Sequence, residues 1–99
     1  MVVNPWWAEA GRLHPYSELR NQKSIIRTFS LEVDSEELVW HRDRNDRHVT
    51  IVEGEGWRLQ MDNQLPITLK PGDSINITKN TYHRILKGTT DLVVEIVER

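Results

Sequence analysis

The sequence predicts a small all-β fold, a sandwich or barrel, and three observations carry the prediction. From Ser24 onward, apolar and polar residues alternate with period two over short segments. Turn-forming residues, chiefly Gly, Pro, Asn and Asp, separate those segments. Nothing in that region has the spacing of a long amphipathic helix.

The elements follow in order. A first strand begins at Ile25, with Ile25, Phe29, Leu31 and Val33 on one face and Ile26, Thr28, Ser30 and Glu32 on the other; Arg27 is the one misfit on the apolar face. A second strand is expected over Glu37 to Arg44, and a third over His48 to Glu53 before the Gly54-Glu55-Gly56 turn. Trp57 to Asp62 reads as the fourth strand, followed by a turn at Asn63-Gln64 and Pro66 and a short strand at Ile67 and Leu69. Lys70-Pro71-Gly72-Asp73 is a tight turn in which proline presets φ. Strands at Ile75 to Thr78, Tyr82 to Leu86 and Leu92 to Glu98 complete the chain. The last carries apolar residues on both faces, as a strand between two layers or at a subunit contact would. Before the barrel, residues 1–24 form an arm in which Asn4-Pro5 opens a helical turn and Trp6-Trp7 lies over the barrel or a neighbouring subunit.

Composition narrows the function. Ninety-nine residues allow one domain with a modest core, too little for a two-domain nucleotide-binding enzyme. A net charge of -2 supplies no basic field for nucleic acid or an anionic membrane, and no apolar run reaches the length of a membrane span. The absence of cysteine removes disulfides, thiolate catalysis and Cys-type zinc sites. The N-terminal stretch lacks a basic segment followed by an apolar one, so a cytoplasmic location is expected, and a small chain without staples is expected to form a homodimer.

The chemistry concentrates in Trp40-His41-Arg42-Asp43-Arg44-Asn45-Asp46-Arg47-His48. A two-residue turn at Asn45-Asp46 would set Asp43 opposite His48 and His41 opposite Thr50, so that His41, Asp43 and His48 share one face. Imidazoles and a carboxylate suit a divalent ion, Fe, Mn, Zn or Ni, with His83 from a later strand as the fourth ligand. Such an ion would bind or convert a small polar molecule of sugar or carboxylate type, with Gln60, Tyr82, Arg84 and Arg47 as further polar contacts. Strand parity, however, turns Tyr82 and Arg84 away from His83. The competing reading of the segment is a solvated hairpin in which Arg42, Arg44 and Arg47 pair with Asp43 and Asp46. His14, beside Pro15, lies outside the pattern.

These residues resemble the two motifs of the cupin family. In the first, His41 and Asp43 fall on the His-x-His pair and His48 on the glutamate, with Gly54 or Gly56 one residue from the closing glycine. In the second, Gly72 and His83 match, while Thr78, Asn80 and Lys87 replace proline, glycine and asparagine. The segments Trp40-His41-Arg42-Asp43, Gly56-Trp57, Leu59 to Asn63 and Tyr82 to Gly88 also resemble short single-domain cupin-like proteins of marine phages and bacteria. The resemblance implies a small jelly-roll-like barrel over residues 25–99 with a metal inside. Because Asp is shorter than His, the reduced set His41, Asp43 and His83 stands beside the four-residue one. Its order resembles the facial triad of non-haem iron oxygenases. A likeness to the cupin domain of mannose-phosphate isomerases implies a sugar-related ligand. The alternative is a metal-free cupin that binds a ligand or assembles without catalysis, which the changes at Thr78, Asn80 and Lys87 favour.

Overall fold

The computed structural model describes residues 16–21, 23–32 and 38–99. The Asn4-Pro5 turn, Trp6, Trp7, His14 and Val33 lie outside the described residues. Among those described, eight strands form two antiparallel sheets. They are β1 (Tyr16–Arg20), β2 (Ile25–Phe29), β3 (Arg47–Glu53), β4 (Arg58–Met61), β5 (Ile67–Thr68), β6 (Ser74–Ile77), β7 (His83–Leu86) and β8 (Leu92–Glu98). The larger sheet runs β1-β2-β8-β3-β6 and the smaller β5-β4-β7. Among the described residues no helix is long and apolar enough to cross a membrane.

The two sheets face each other over the residues that the period-two pattern turned inward. Ile25, Phe29, Ile51, Leu59, Ile77, Leu92, Val94 and Ile96 are buried there, with Trp57 and Leu69 from the connecting segments. Trp57 is anchored by its indole Nε1, which donates to the Thr90 carbonyl at 2.6 Å. The central β8 buries Leu92, Val94 and Ile96 and leaves Val93, Glu95 and Val97 half-buried on its other side.

Two expectations change. Tyr16–Arg20, read as part of the arm, pairs along its whole length with β2 and extends the sheet. Glu18 thereby stands opposite Arg27 and is the partner that the misfit arginine needs: Arg27 is 4% exposed, and its Nε donates to Glu18 Oε2 at 2.8 Å. The expected second strand does not form over its described residues. There only His41 pairs, through an isolated bridge to His83. β3 finds its neighbours in β6 and β8, so the hairpin that would have placed Asp43 opposite His48 is absent. The physical reason lies at Asp46. Its Oδ1 accepts from the Lys79 amide at 2.8 Å and its carbonyl from the Arg99 amide at 3.0 Å, tying the loop to the residues just beyond β6 and β8 instead of closing a tight turn.

Candidate metal centre

His41 and His83 are brought together by backbone hydrogen bonding. Each amide donates to the other's carbonyl, at 3.0 Å from His41 and 2.8 Å from His83, which makes them a directly opposed antiparallel pair with side chains on one face. Their ring centroids are 4.3 Å apart. On β7, His83 shares its face with Ile85 and stands opposite Met61, while its neighbour Leu59 is buried, so this is the inner face.

Asp43 is delivered by the loop. Its carbonyl accepts from the Asn80 amide at 2.8 Å, pinning the backbone beside the turn that precedes β7. In that turn Asn80 has φ of 62°, the left-handed conformation that the glycine of the second motif would supply. Asn is among the few residues with a side chain that adopt it readily, so the replacement preserves the turn.

The three side chains converge: one ligand atom from each of His41, Asp43 and His83 lies within 4.8 Å of the other two. A single ion with bonds of about 2.0–2.2 Å closes that span after a small inward rotation of the side chains. The ring nitrogens are oriented for it. His41 Nδ1 lies 2.8 Å from the Val39 carbonyl and His83 Nδ1 2.8 Å from the Thr81 carbonyl. A carbonyl only accepts, so each Nδ1 carries the proton, and in the neutral ring each Nε2 keeps its lone pair for the centre. Backbone carbonyls holding the far nitrogen are the usual outer support of a metal-bound histidine.

Asp43 sharpens the point. Its Oδ2 lies 3.2 Å from His83 Nε2 and 3.4 Å from Arg47 Nη1, yet neither approach has hydrogen-bond alignment. A carboxylate oxygen facing an imidazole lone pair at that distance is two acceptors opposed. The arrangement calls for a cation between them, either a proton on the ring or a metal ion that both ligate. Burial pushes the Asp43 carboxyl upward, but the contact with His83 and the nearby Arg47 guanidinium outweigh it, holding the carboxyl below its ordinary range.

The other expected site residues fall elsewhere. His48 stands opposite Asn76 and Val97 on the outward face of β3, and its Nδ1 lies 2.7 Å from Asn76 Oδ1. Thr50 and Ser74 continue the same polar row, 3.2 Å apart. His48 is thus one residue out of phase with the inner face and does not join the other two histidines. Gln60 and Arg84 pair across β4 and β7 on the outer side, with Arg84 Nε donating to Gln60 Oε1 at 3.0 Å and its guanidinium 4.8 Å from the Trp40 ring. Tyr82 is 44% exposed and lies beneath the Arg42 guanidinium. Of the four expected contacts only Arg47 reaches the centre. It faces inward opposite Ile77 and bonds Glu98 Oε2 from Nε at 3.1 Å. Arg27, absent from the expected set, also lines the interior, and its signal was the arginine on an otherwise apolar strand face.

No known protein family is matched by the sequence, and no curated protein is similar enough to count as a relative. Solved structures are informative. A cupin-2 domain protein from Shewanella frigidimarina superimposes with a TM-score of 0.62 at 20% identity, over 93% of this chain and 89% of its own. The chain has the cupin fold. Similar barrels occur in larger chains. A chain from the structures of the DMSP lyases RdDddP and RnDddQII gives a TM-score of 0.66 at 17% identity, over 77% of this chain and 37% of that one. FeII HppE gives 0.63 at 15% identity, over 85% of this chain and 48% of its own. The chain therefore spans half or less of the length of those two proteins.

Proposed function

We propose that this small cupin holds a divalent metal ion on His41, Asp43 and His83 and uses it to bind or convert a small molecule with a polar head. The observation that carries the reading is the opposed set of acceptors: two histidines with Nδ1 fixed by carbonyls and a half-buried carboxylate, all turned toward one point. The donor set suits iron, manganese, zinc or nickel. The similarity to a fold described with Fe(II) supports a metal as well. When bound, such an ion supplies Lewis acidity and coordination positions for an oxygen-bearing ligand. The chain's own residues do the rest. The carbonyls of Val39 and Thr81 hold the imidazoles in one tautomer, Arg47 keeps Asp43 ionised, and the barrel wall screens the site from water.

Elemental mass spectrometry on protein purified without chelator or nickel resin tests this. Near-stoichiometric metal that disappears in His83→Ala is expected. Metal-free wild-type protein that also fails to take up added Fe(II), Mn(II), Zn(II) or Ni(II) would overturn the reading in favour of a metal-free binding or assembly domain. We propose homodimerisation too, supported by the exposed edge strand β1, where Leu19 is 75% exposed. Light scattering showing a monomer at micromolar concentration would contradict it.

A further inference from the structure

The smaller sheet has a second face with its own chemistry. Alternation turns His41, His83 and Met61 inward, so the residues beside them in the chain, among them Trp40, Arg42, Tyr82, Arg84 and Gln60, stand on the outward side. The register sets these out in rows. Arg84 lies between Gln60 and Trp40, Tyr82 lies between Asp62 and Arg42, and Arg58 stands opposite Leu86. Arg42, Arg84 and Arg58 therefore form a diagonal, each one segment over and two residues along from the one before. Diagonal neighbours on a sheet face are about 7–8 Å apart.

Two aromatic rings complete a checkerboard with the first two arginines. The Arg84 guanidinium lies 4.8 Å from the Trp40 ring centroid and the Arg42 guanidinium 5.4 Å from that of Tyr82. This attraction holds both cations down against the sheet. The groups that meet them, Trp40, Tyr82 and the Gln60 amide oxygen, are uncharged, so the contacts leave the positive charge in place. The rings stay open as well, with Trp40 42% and Tyr82 44% exposed.

A regular row of cations beside open rings is the chemistry that receives a single strand of nucleic acid. Phosphates pair with the arginines, and unstacked bases lie on aromatic rings or on guanidinium planes. An acidic peptide would use the charge and leave the rings idle. The net charge of -2 denies the chain a long-range field, but a fixed cation still acts on a phosphate within the Debye length of about 8 Å at physiological salt. We infer that the outward face of the smaller sheet binds single-stranded nucleic acid, with Arg42, Arg84 and Arg58 on successive phosphates and Trp40 and Tyr82 beside the bases. Asp62, exposed in the row of Tyr82 and Arg42, places one repulsive charge at the side of this track.

The test is fluorescence anisotropy of a labelled oligothymidylate of about 12 nucleotides, with chelator present so that the metal plays no part. At about 50 mM salt the wild type is expected to bind, and the plot of log affinity against log salt to have a slope of about -2, from three phosphates at about -0.7 each. Arg42→Ala and Arg84→Ala each weaken binding several-fold and flatten the slope by about 0.7. Tyr82→Ala weakens binding at least about fivefold and leaves the slope unchanged. Asp62→Asn binds more tightly than the wild type, a gain that no loss of folding produces. Arg20→Ala, on the larger sheet, binds as the wild type does. Absence of binding at that salt, equal binding of a duplex of the same length, or affinity unmoved by Tyr82→Ala overturns the inference. Displacement by an oligoglutamate peptide that Tyr82→Ala does not affect would overturn it in favour of an acidic peptide.

Discussion

His83 and His48 are both strand histidines of one barrel, and they differ by which face of the sheet they occupy. His83 stands on the inner face, 3% exposed, with its Nδ1 held by a carbonyl and its Nε2 turned toward Asp43. His48 stands on the outer face in a row of polar side chains with Asn76, Thr50 and Ser74. The inward row around β3 is Arg47, Val49 and Ile51, and a shift of one residue would exchange the two roles. Ligand capacity belongs to the residue type, but whether it is used depends on strand parity relative to the barrel axis.

The largest effect expected from this contrast concerns the inner face away from the triad. Arg27→Met leaves Glu18 without its buried partner and costs about 3–5 kcal/mol in urea unfolding, whereas adding Glu18→Leu recovers most of the loss. A single variant with no loss of stability would show that the pair is not desolvated. Next, Asp43→Asn preserves shape while removing the charge, and metal affinity is expected to fall at least about tenfold, with His41→Ala falling further. Unchanged affinity in Asp43→Asn, measured by competition with a chromophoric chelator, would remove the carboxylate from the site.

The acid limb of the metal-free protein gives a smaller effect. Asp43 has its native pKa lowered, so its contribution to stability is present above its unfolded value, near 3.9, and is lost as pH falls through the lower native value. Thermal melts between pH 5 and pH 2 in the presence of chelator should show a shallower acid decline in Asp43→Asn than in the wild type. An identical decline would argue against the ion contacts of Asp43. The smallest effects belong to the outer face: His48→Ala should change metal affinity by less than about twofold, and Arg84→Ala should change stability by less than about 0.5 kcal/mol. A loss of metal in His48→Ala as large as that in His83→Ala would erase the distinction between the faces.

Much of this was legible in the residues. Among the described residues the period-two pattern gave seven of the eight strands, because sheet faces impose their alternation wherever one side is buried. The cupin resemblance brought His83 together with His41 across a long sequence separation, which local patterning does not reach. The glycine-to-asparagine change at position 80 looked like decay of a motif but keeps the turn, since what the position requires is a left-handed φ. Other features were hidden for definable reasons. The Asn45-Asp46 pair resembles a hairpin turn, yet Asp46 bonds to Lys79 and Arg99, partners that no local rule supplies. Tyr16–Arg20 carries only Leu19 among its aliphatic residues, and its strand identity comes from pairing with β2. Arg27 was visible as an anomaly, but its partner Glu18 lay in a segment read as an arm.

The most direct measurement is anomalous diffraction from a crystal of the protein grown with Zn(II) or Mn(II), collected on either side of the metal absorption edge. The account predicts one strong anomalous peak per chain, bonded by His41 Nε2, His83 Nε2 and an Asp43 carboxylate oxygen at about 2.0–2.2 Å. A peak at His48, or none between His41, Asp43 and His83 at saturating metal, would contradict it.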